Sequence, residues 1–247
     1  MRIYAIGDIH GQLDMLKAAH KRIEADKVRV GDPDAKIIHL GDYVDRGPDS
    51  NGVIQYLMDG IAAGQPWLAI RGNHDRMFTR FVRHGIAHDA QIKSGKSWLH
   101  PALGGVETLA SYGVEAKDGD FELCHMRAHK GVPTAHLDFI ENLPLTHQWG
   151  NYLFVHAGIR PGVALEDQEE EDLIWIREGW LDYHGTLPAM VVHGHTALDE
   201  PTHFGNRIDI DSGAGYGHPM TTLVIEHGHE EVVTETGRKP LTHAKPG

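Results

Sequence analysis

Three short segments of this sequence set carboxylates, imidazoles and an amide among glycines: GDIHG (7–11), GDYVDRG (41–47) and GNHD (72–75). Asp8 and His10 are two residues apart, so in an extended segment both side chains point to one side. A carboxylate and an imidazole aimed at a common point suit a divalent transition metal. Asp42 carries two oxygens with which to bridge two ions, and Asn73 offers a neutral oxygen. A second ion needs further nitrogen ligands, for which His156 in FVHAG and His195 in VVHGHT are the sources. Together these residues suit two ions roughly 3.5–4 Å apart.

Such a pair of cations serves phosphate ester hydrolysis in three ways. It lowers the pKa of a bridging water, holds the phosphoryl oxygens and offsets charge in the in-line transition state. The leaving alkoxide still needs a proton. His74, next to Asn73, is placed to give one as general acid, with Asp45 orienting its ring. Arg46 presents a planar fork for phosphate oxygens, and Arg177 in LIWIRE is a second clamp from the other half of the chain. Singly these signals are weak. GDIHG could be an ordinary strand-to-helix turn with Asp8 as a cap, and Asp45–Arg46 a surface ion pair. Three such motifs in succession, joined by two late histidines, favour the functional reading.

The elements that must position these side chains are legible around them. Residues 3–6, 36–40 and 67–70 are short apolar runs that read as buried parallel strands, each ending at one motif. Between them, residues 14–25 have helical apolar spacing and 50–63 open with a good N-cap. This alternation implies right-handed βαβ units, whose ligand crevice lies past the carboxyl ends of the strands. Residues 78–128 are the least regular stretch. They read as helices, one at 106–111, plus an insertion over the sheet edge. His84, His88 and His100 there stay open between a groove rim and ordinary surface positions. After Pro133 come a helix at 135–142 and strands at 152–156, 190–193, 207–210 and 221–225, with a further β-like segment at 231–235. One catalytic domain over 1–236 is expected, followed by a polar tail with two prolines, 237–247, expected to fray.

Composition bounds the setting. The 247 residues suit one large α/β domain. Cys124 is the sole cysteine, so no intrachain disulfide can form, and a reducing, cytoplasmic location is expected. No secretory leader is expected, and no apolar run in the sequence reaches membrane length. The net charge of −12 argues against nucleic acid as a partner. It leaves room for a phosphorylated substrate, because bound cations invert the local field. Twenty histidines identify no site by number alone. His20, His39, His136, His147, His227 and His229 read as solvated or internally bonded, the acidic run 169–172 as solvent-facing, and Trp175 as packing.

In order and spacing, GDIHG, GDYVDRG, GNHD, FVHAG and GHT resemble the phosphoprotein phosphatase (PPP) family of calcineurin-like metallophosphoesterases, and LIWIRE with GGVETLASYG resembles its bacterial members. The match spans residues 1–225. The resemblance implies a four-layer α/β/β/α sandwich of two facing mixed sheets. It puts Asp8 and His10 on the first metal, Asp42 between the metals, and Asn73, His156 and His195 on the second. It makes His74 the proton donor paired with Asp45, and Arg46 and Arg177 the phosphate holders. The family's Gly-His-Thr pattern selects His195 over His193. Two divalent ions are implied, with Mn2+ the usual activating ion and Fe or Zn also compatible. The function expected is a phosphomonoesterase of the serine/threonine protein phosphatase type. A symmetrical dinucleoside tetraphosphate (Ap4A) hydrolase shares the motifs and is the alternative, with Trp98 or Tyr112 as a seat for adenine. An inactive binding module is the third. Oligomeric state is not legible.

Overall fold

A computed structural model describes residues 2–244. β1 (Arg2–Ile6) shows the two-residue period plainly, since Ile3 and Ala5 enter one apolar core while Tyr4 and Ile6 enter another. The chain continues through α1 (Leu13–Val30), β2 (Lys36–His39), α2 (Ser50–Ala62), β3 (Trp67–Ala69), α3 (Asn73–His84), α4 (Gly105–Ser111), α5 (Phe121–Gly131) and α6 (Thr134–Glu141). Then follow β4 (Thr146–Trp149), β5 (Tyr152–Val155), α7 (Glu170–Trp175), β6 (Met190–His193), β7 (Thr202–His203) and β8 (Arg207–Asp209). β9 (Thr222–Glu226), β10 (His229–Thr234), β11 (Gly237–Pro240) and β12 (Thr242–His243) close it. Local signals set several ends. α1 stops where Gly31 turns left-handed at φ 69°, its amide meeting the Lys27 and Val28 carbonyls. α2 starts where the Asp49 side chain accepts from the Gly52 amide at 2.8 Å.

Two six-stranded sheets result, in the orders β11-β10-β9-β1-β2-β3 and β12-β7-β8-β6-β5-β4. β1, β2 and β3 run parallel, as do β5, β6 and β8, while β9 pairs antiparallel with β1 and β10 antiparallel with β9. Ile3, Ile38 and Leu223 from the first sheet meet Phe154, Val192 and Ile208 from the second in a shared core. The next residues along the same strands point outward. Tyr4, Ile37 and Val224 pack under the helices α1 to α6, and Leu153, Val155 and Val191 pack with Leu173 and Ile174 of α7. The architecture is the expected α/β/β/α sandwich of two mixed sheets.

Most expected elements recur within a few residues. α1 runs five residues further than its apolar spacing suggested, α3 begins inside the third motif, and α5 and β4 had no clear expectation. The tail differs most. Residues 237–240 pair with β10 and residues 242–243 with β7, so this part does not fray. Arg238 explains it, reaching Asp26 at 2.7 Å and Glu226 at 2.6 Å across to α1 and β9. Residues 245–247 of that tail lie outside the described residues. Cys124 is free and buried. Among the described residues no helix is long and apolar enough to cross a membrane.

Candidate active site

The carboxyl ends of β1, β2 and β3 and those of β5 and β6 converge where the two sheets meet. Gly7 lets them close, because a Cβ there would stand 2.4 Å from the Ile210 carbonyl oxygen. Asp42, reached from β2, sits at the centre. Its Oδ2 lies 3.6 Å from His10 Nε2 and its Oδ1 3.4 Å from His156 Nε2. His156 Nε2 is also 2.9 Å from Asn73 Oδ1, while its Nδ1 donates to the Leu40 carbonyl of the opposite sheet at 2.8 Å. That bond fixes the tautomer and leaves Nε2 facing Asp42. His10 is held in the same way, with Nδ1 on the Val44 carbonyl at 2.8 Å.

Two sets of donor atoms are close enough to hold cations: His10, Asp42 and His74, and Asp42, His156 and His195. Asp42 is common to both. His195 Nε2 is buried with no hydrogen-bond partner, which in a protein interior marks an atom shaped for another ligand. Asp8 stands beside these sets rather than within them, its two oxygens each 3.2 Å from the His195 amide. His193 points away. Its Nδ1 bonds to the adjacent Gly194 carbonyl and its ring packs edge-on against Trp180. A mixed set of carboxylate, amide and imidazole donors, buried together, fits divalent first-row ions.

Burial and mutual charge shape the titration here. Burial would push Asp42 up, but His156, His74 and His10 hold it well below the usual carboxylate range. Asp8 is pushed well up, by burial and then by the neighbouring Asp211 carboxylate. Burial depresses His156, yet Asp42 and Asp8 outweigh it and lift the imidazole to about 10. His10 and His195 are driven well down by burial, aided by Arg46 and His156 respectively.

The backbone at the site is strained. His10, Asp42, Asp45, Arg46 and His195 all have positive φ, from 47° to 74°, and the sole other described non-glycine with positive φ is His227. Each costs about 1 kcal/mol or more and persists because its surroundings over-determine it. Asp75 supplies much of that constraint. Its carboxylate accepts from the amides of Asp42, Tyr43 and Gly72 at 2.8–2.9 Å. Gly72 is needed because a Cβ there would lie 2.2 Å from Asp42 Oδ1.

His74 Nδ1 meets Asp45 Oδ2 at 2.6 Å. Arg46 reaches His10 Nε2 and, at 3.2 Å, His74 Nε2, with its guanidinium under the exposed ring of Tyr216 at 4.7 Å. Arg177 approaches from the far side and donates to the His195 carbonyl at 3.1 Å. Asp42, Arg46, Asn73, His74 and His195 form the floor of an open cleft of about 940 Å3. Gln91, Ile92, Lys93 and Leu103 make one wall, and Trp175, Ile176, Arg177 and Glu178 the other.

Several expectations change here. His84, His88 and His100 do not line this cleft. His88 packs on Phe121, and His100 Nδ1 accepts from the Ala102 amide. The acidic run is not simply solvent-facing: Glu170 and Glu171 pair with Arg71 and Arg76, and Asp172 is buried against Arg160. Trp98 is 1% exposed and gives its indole N–H to Asp45, while Tyr112 stacks on Phe78, so neither seats a base. Trp175 packs against the core as expected, and it also lines the cleft, its ring edge-on to His195 at 5.9 Å. Sequence reasoning missed Asp75, Thr108, Asp211 and Tyr216, and gave Trp98 a different role from the one its bond to Asp45 shows. Asp209 and Asp211 in IDID carried a readable signal, the same two-residue spacing at a strand end as Asp8 and His10.

A family model described as calcineurin-like phosphoesterase matches residues 1–222. Serine/threonine-protein phosphatase 1 of Salmonella typhimurium is 27% identical over 91% of this chain and 92% of its own. The asymmetrical bis(5'-nucleosyl)-tetraphosphatase PrpE of Bacillus thuringiensis is 25% identical over 90% of each. A cold-active protein-tyrosine phosphatase of a Shewanella species shares the fold at TM-score 0.62, with 15% identity, over 98% of this chain and 80% of that one. The chain belongs to the calcineurin-like phosphoesterase family and is a hydrolase of phosphoric esters.

Proposed function

We propose that this chain is a phosphomonoesterase of the serine/threonine protein phosphatase type. The observation that carries it is the acid pair His74–Asp45 at the floor of an open cleft, flanked by two arginines. Two guanidinium groups suit a terminal phosphate dianion. An open cleft with mixed polar and apolar walls accepts a phosphorylated side chain presented from a larger surface.

Asp8, His10, Asp42, Asn73, His156 and His195 would hold two divalent cations, which when bound supply a Lewis acid for the phosphoryl oxygens and an activated water. Manganese is the ion we assign, since three oxygen and three nitrogen donors accommodate it. The chain's own groups do the rest. Arg46 exchanges its contacts with His10 and His74 for phosphate oxygens, and Arg177 holds the phosphate from the opposite wall. His74 keeps Nδ1–H on Asp45; once Arg46 has turned to the phosphate, the His74 Nε2 takes up a proton from solvent and passes it to the leaving oxygen. The reducing compartment suggested by a lone buried thiol makes a cytoplasmic enzyme the natural assignment.

A second reading is a dinucleoside tetraphosphatase. It is favoured by Trp175 in the cleft wall and by PrpE relatives, which carry the asymmetrical designation rather than the symmetrical one considered from the motifs. A panel with added Mn2+ decides between them. A phosphoserine peptide hydrolysed at least tenfold more efficiently (in kcat/KM) than diadenosine tetraphosphate is the expected result, and the reverse order sinks the first reading.

A further inference from the structure

The Asp45 carboxylate is held from the segment between α3 and α5, which brings no cation-holding atom to the site. Its Oδ2, which meets His74 Nδ1, also accepts the indole N–H of Trp98 at 2.8 Å. Its Oδ1 accepts the hydroxyl of Thr108 at 2.7 Å. The same Thr108 oxygen accepts the Asp45 backbone N–H at 2.8 Å, with Ser50 Oγ in support at 3.1 Å. Thr108 therefore grips both ends of Asp45, a residue whose backbone sits at φ 74°.

The Trp98 ring has little freedom. Phe81 and Phe78 pack on it at 5.0 and 5.9 Å between centroids. A Cβ on Gly105 would lie 2.6 Å from the indole, and one on Gly104 would lie 2.1 Å from the Arg46 nitrogen. The paired glycines thus let this segment press Trp98 against Asp45 with no side chain between.

We propose that Trp98 and Thr108 are positioning residues for the proton donor, fixing the Asp45 carboxylate so that it orients the His74 ring. This rests on the reading that His74 protonates the leaving group. A carboxylate with two outside donors cannot turn about its own bonds, so the imidazole it holds keeps Nε2 aimed into the cleft. Misplacement of a catalytic group by about 1 Å is enough to cost on the order of a hundredfold in rate.

The test uses the Mn2+-supplemented full chain and two substrates. p-Nitrophenyl phosphate has an acidic leaving group that departs without a proton, whereas a phosphoserine peptide needs one. For Trp98→Phe and Thr108→Val, kcat on the peptide should fall about tenfold or more, the loss of a hydrogen bond to a charged group. On the aryl phosphate it should fall about threefold or less. KM should stay put, and Thr108→Ser, which keeps the hydroxyl, should restore the peptide rate. Wild-type peptide turnover in both variants, or equal loss on both substrates, overturns the assignment. If Trp98→Phe does not fold, the Thr108→Val and Thr108→Ser pair decides alone. His74→Asn is the internal reference. If it shows no leaving-group dependence, the reading of His74 itself fails, separately from the role of Trp98.

Discussion

Asp42 and Lys93 line the same cleft, and the structure treats them in opposite ways. Asp42 is buried at positive φ, its amide bonded to Asp75 and its Oδ1 to the His74 amide at 3.0 Å, with two imidazoles near its oxygens. Lys93 is 88% exposed and meets Glu178, 92% exposed, at 3.4 Å across the cleft mouth. A surface pair of that kind contributes about 0–1 kcal/mol, so the rim is free to yield to an incoming substrate. On the proposed mechanism the floor cannot yield without losing the arrangement that would stabilise charge in the transition state. Chemistry, on the proposed function, belongs to the strand ends and substrate choice to loops that are held weakly.

The sharpest break of this contrast is at the floor. Asp42→Asn should lower kcat about a thousandfold or more, since it removes several kcal/mol of cation-borne stabilisation. Steady-state kinetics together with an unchanged circular dichroism spectrum would separate this from misfolding. His74→Asn comes next, with a loss of about a hundredfold or more in kcat on an alkyl phosphate, the usual worth of a general acid. Far from the cleft, Arg238→Ala should cost about 2 kcal/mol of stability, less than a fully buried pair because Arg238 is partly exposed, while kcat stays at the wild-type value. Denaturant unfolding reads the first and kinetics the second. Lys93→Ala should have the smallest effect, about twofold or less in kcat with KM moving by a few-fold. A tenfold fall in kcat would mean that the rim takes part in chemistry.

The Arg238 prediction also has a pH signature. Burial pushes Asp26 up, but Arg238, Arg29 and Tyr4 outweigh it and hold the carboxyl at about 2. Arg2 and Arg238 hold Glu226 at about 2 as well. Both folded values lie below the unfolded ones, about 3.9 for Asp and 4.3 for Glu. Their stabilisation is therefore complete above about pH 4 and is lost as pH falls from there toward 2. Arg238→Ala should flatten this dependence in unfolding curves taken between pH 2 and 5. An unchanged acid slope would mean that other carboxylates set it.

What the sequence disclosed divides along the same line as floor and rim. Asp8, His10, Asp42 and Asn73 were legible because each stands in a short loop whose glycines and preceding apolar run announce a strand end. Choosing His195 over His193 took the Gly-His-Thr pattern, because residues two apart share a side in an extended strand. The structure separates them by the positive φ of His195 beyond the end of β6 and the packing of His193 on Trp180. Trp98 and Thr108 lie 53 and 63 residues from the Asp45 they bind, and nothing in their neighbours points to that partner. Arg238 is further still, 212 residues from Asp26. Its segment therefore read as a polar, proline-containing tail until its long-range pairs were seen. Asn73 and His74 were read for chemistry and hid the start of α3, because the residues that serve the site also occupy the first turn of the helix.

The central claim is that Asp42 joins two cation positions at one floor. Metal content measures it directly: chelate the protein, reload it with Mn2+, remove free ion, and count ions per chain in the wild type and in Asp42→Asn. The account predicts two ions per chain with hydrolysis of p-nitrophenyl phosphate in the first, and a loss of both bound metal and activity in the second. A wild type that binds one ion or none, or that hydrolyses the substrate equally well in excess chelator, would contradict it.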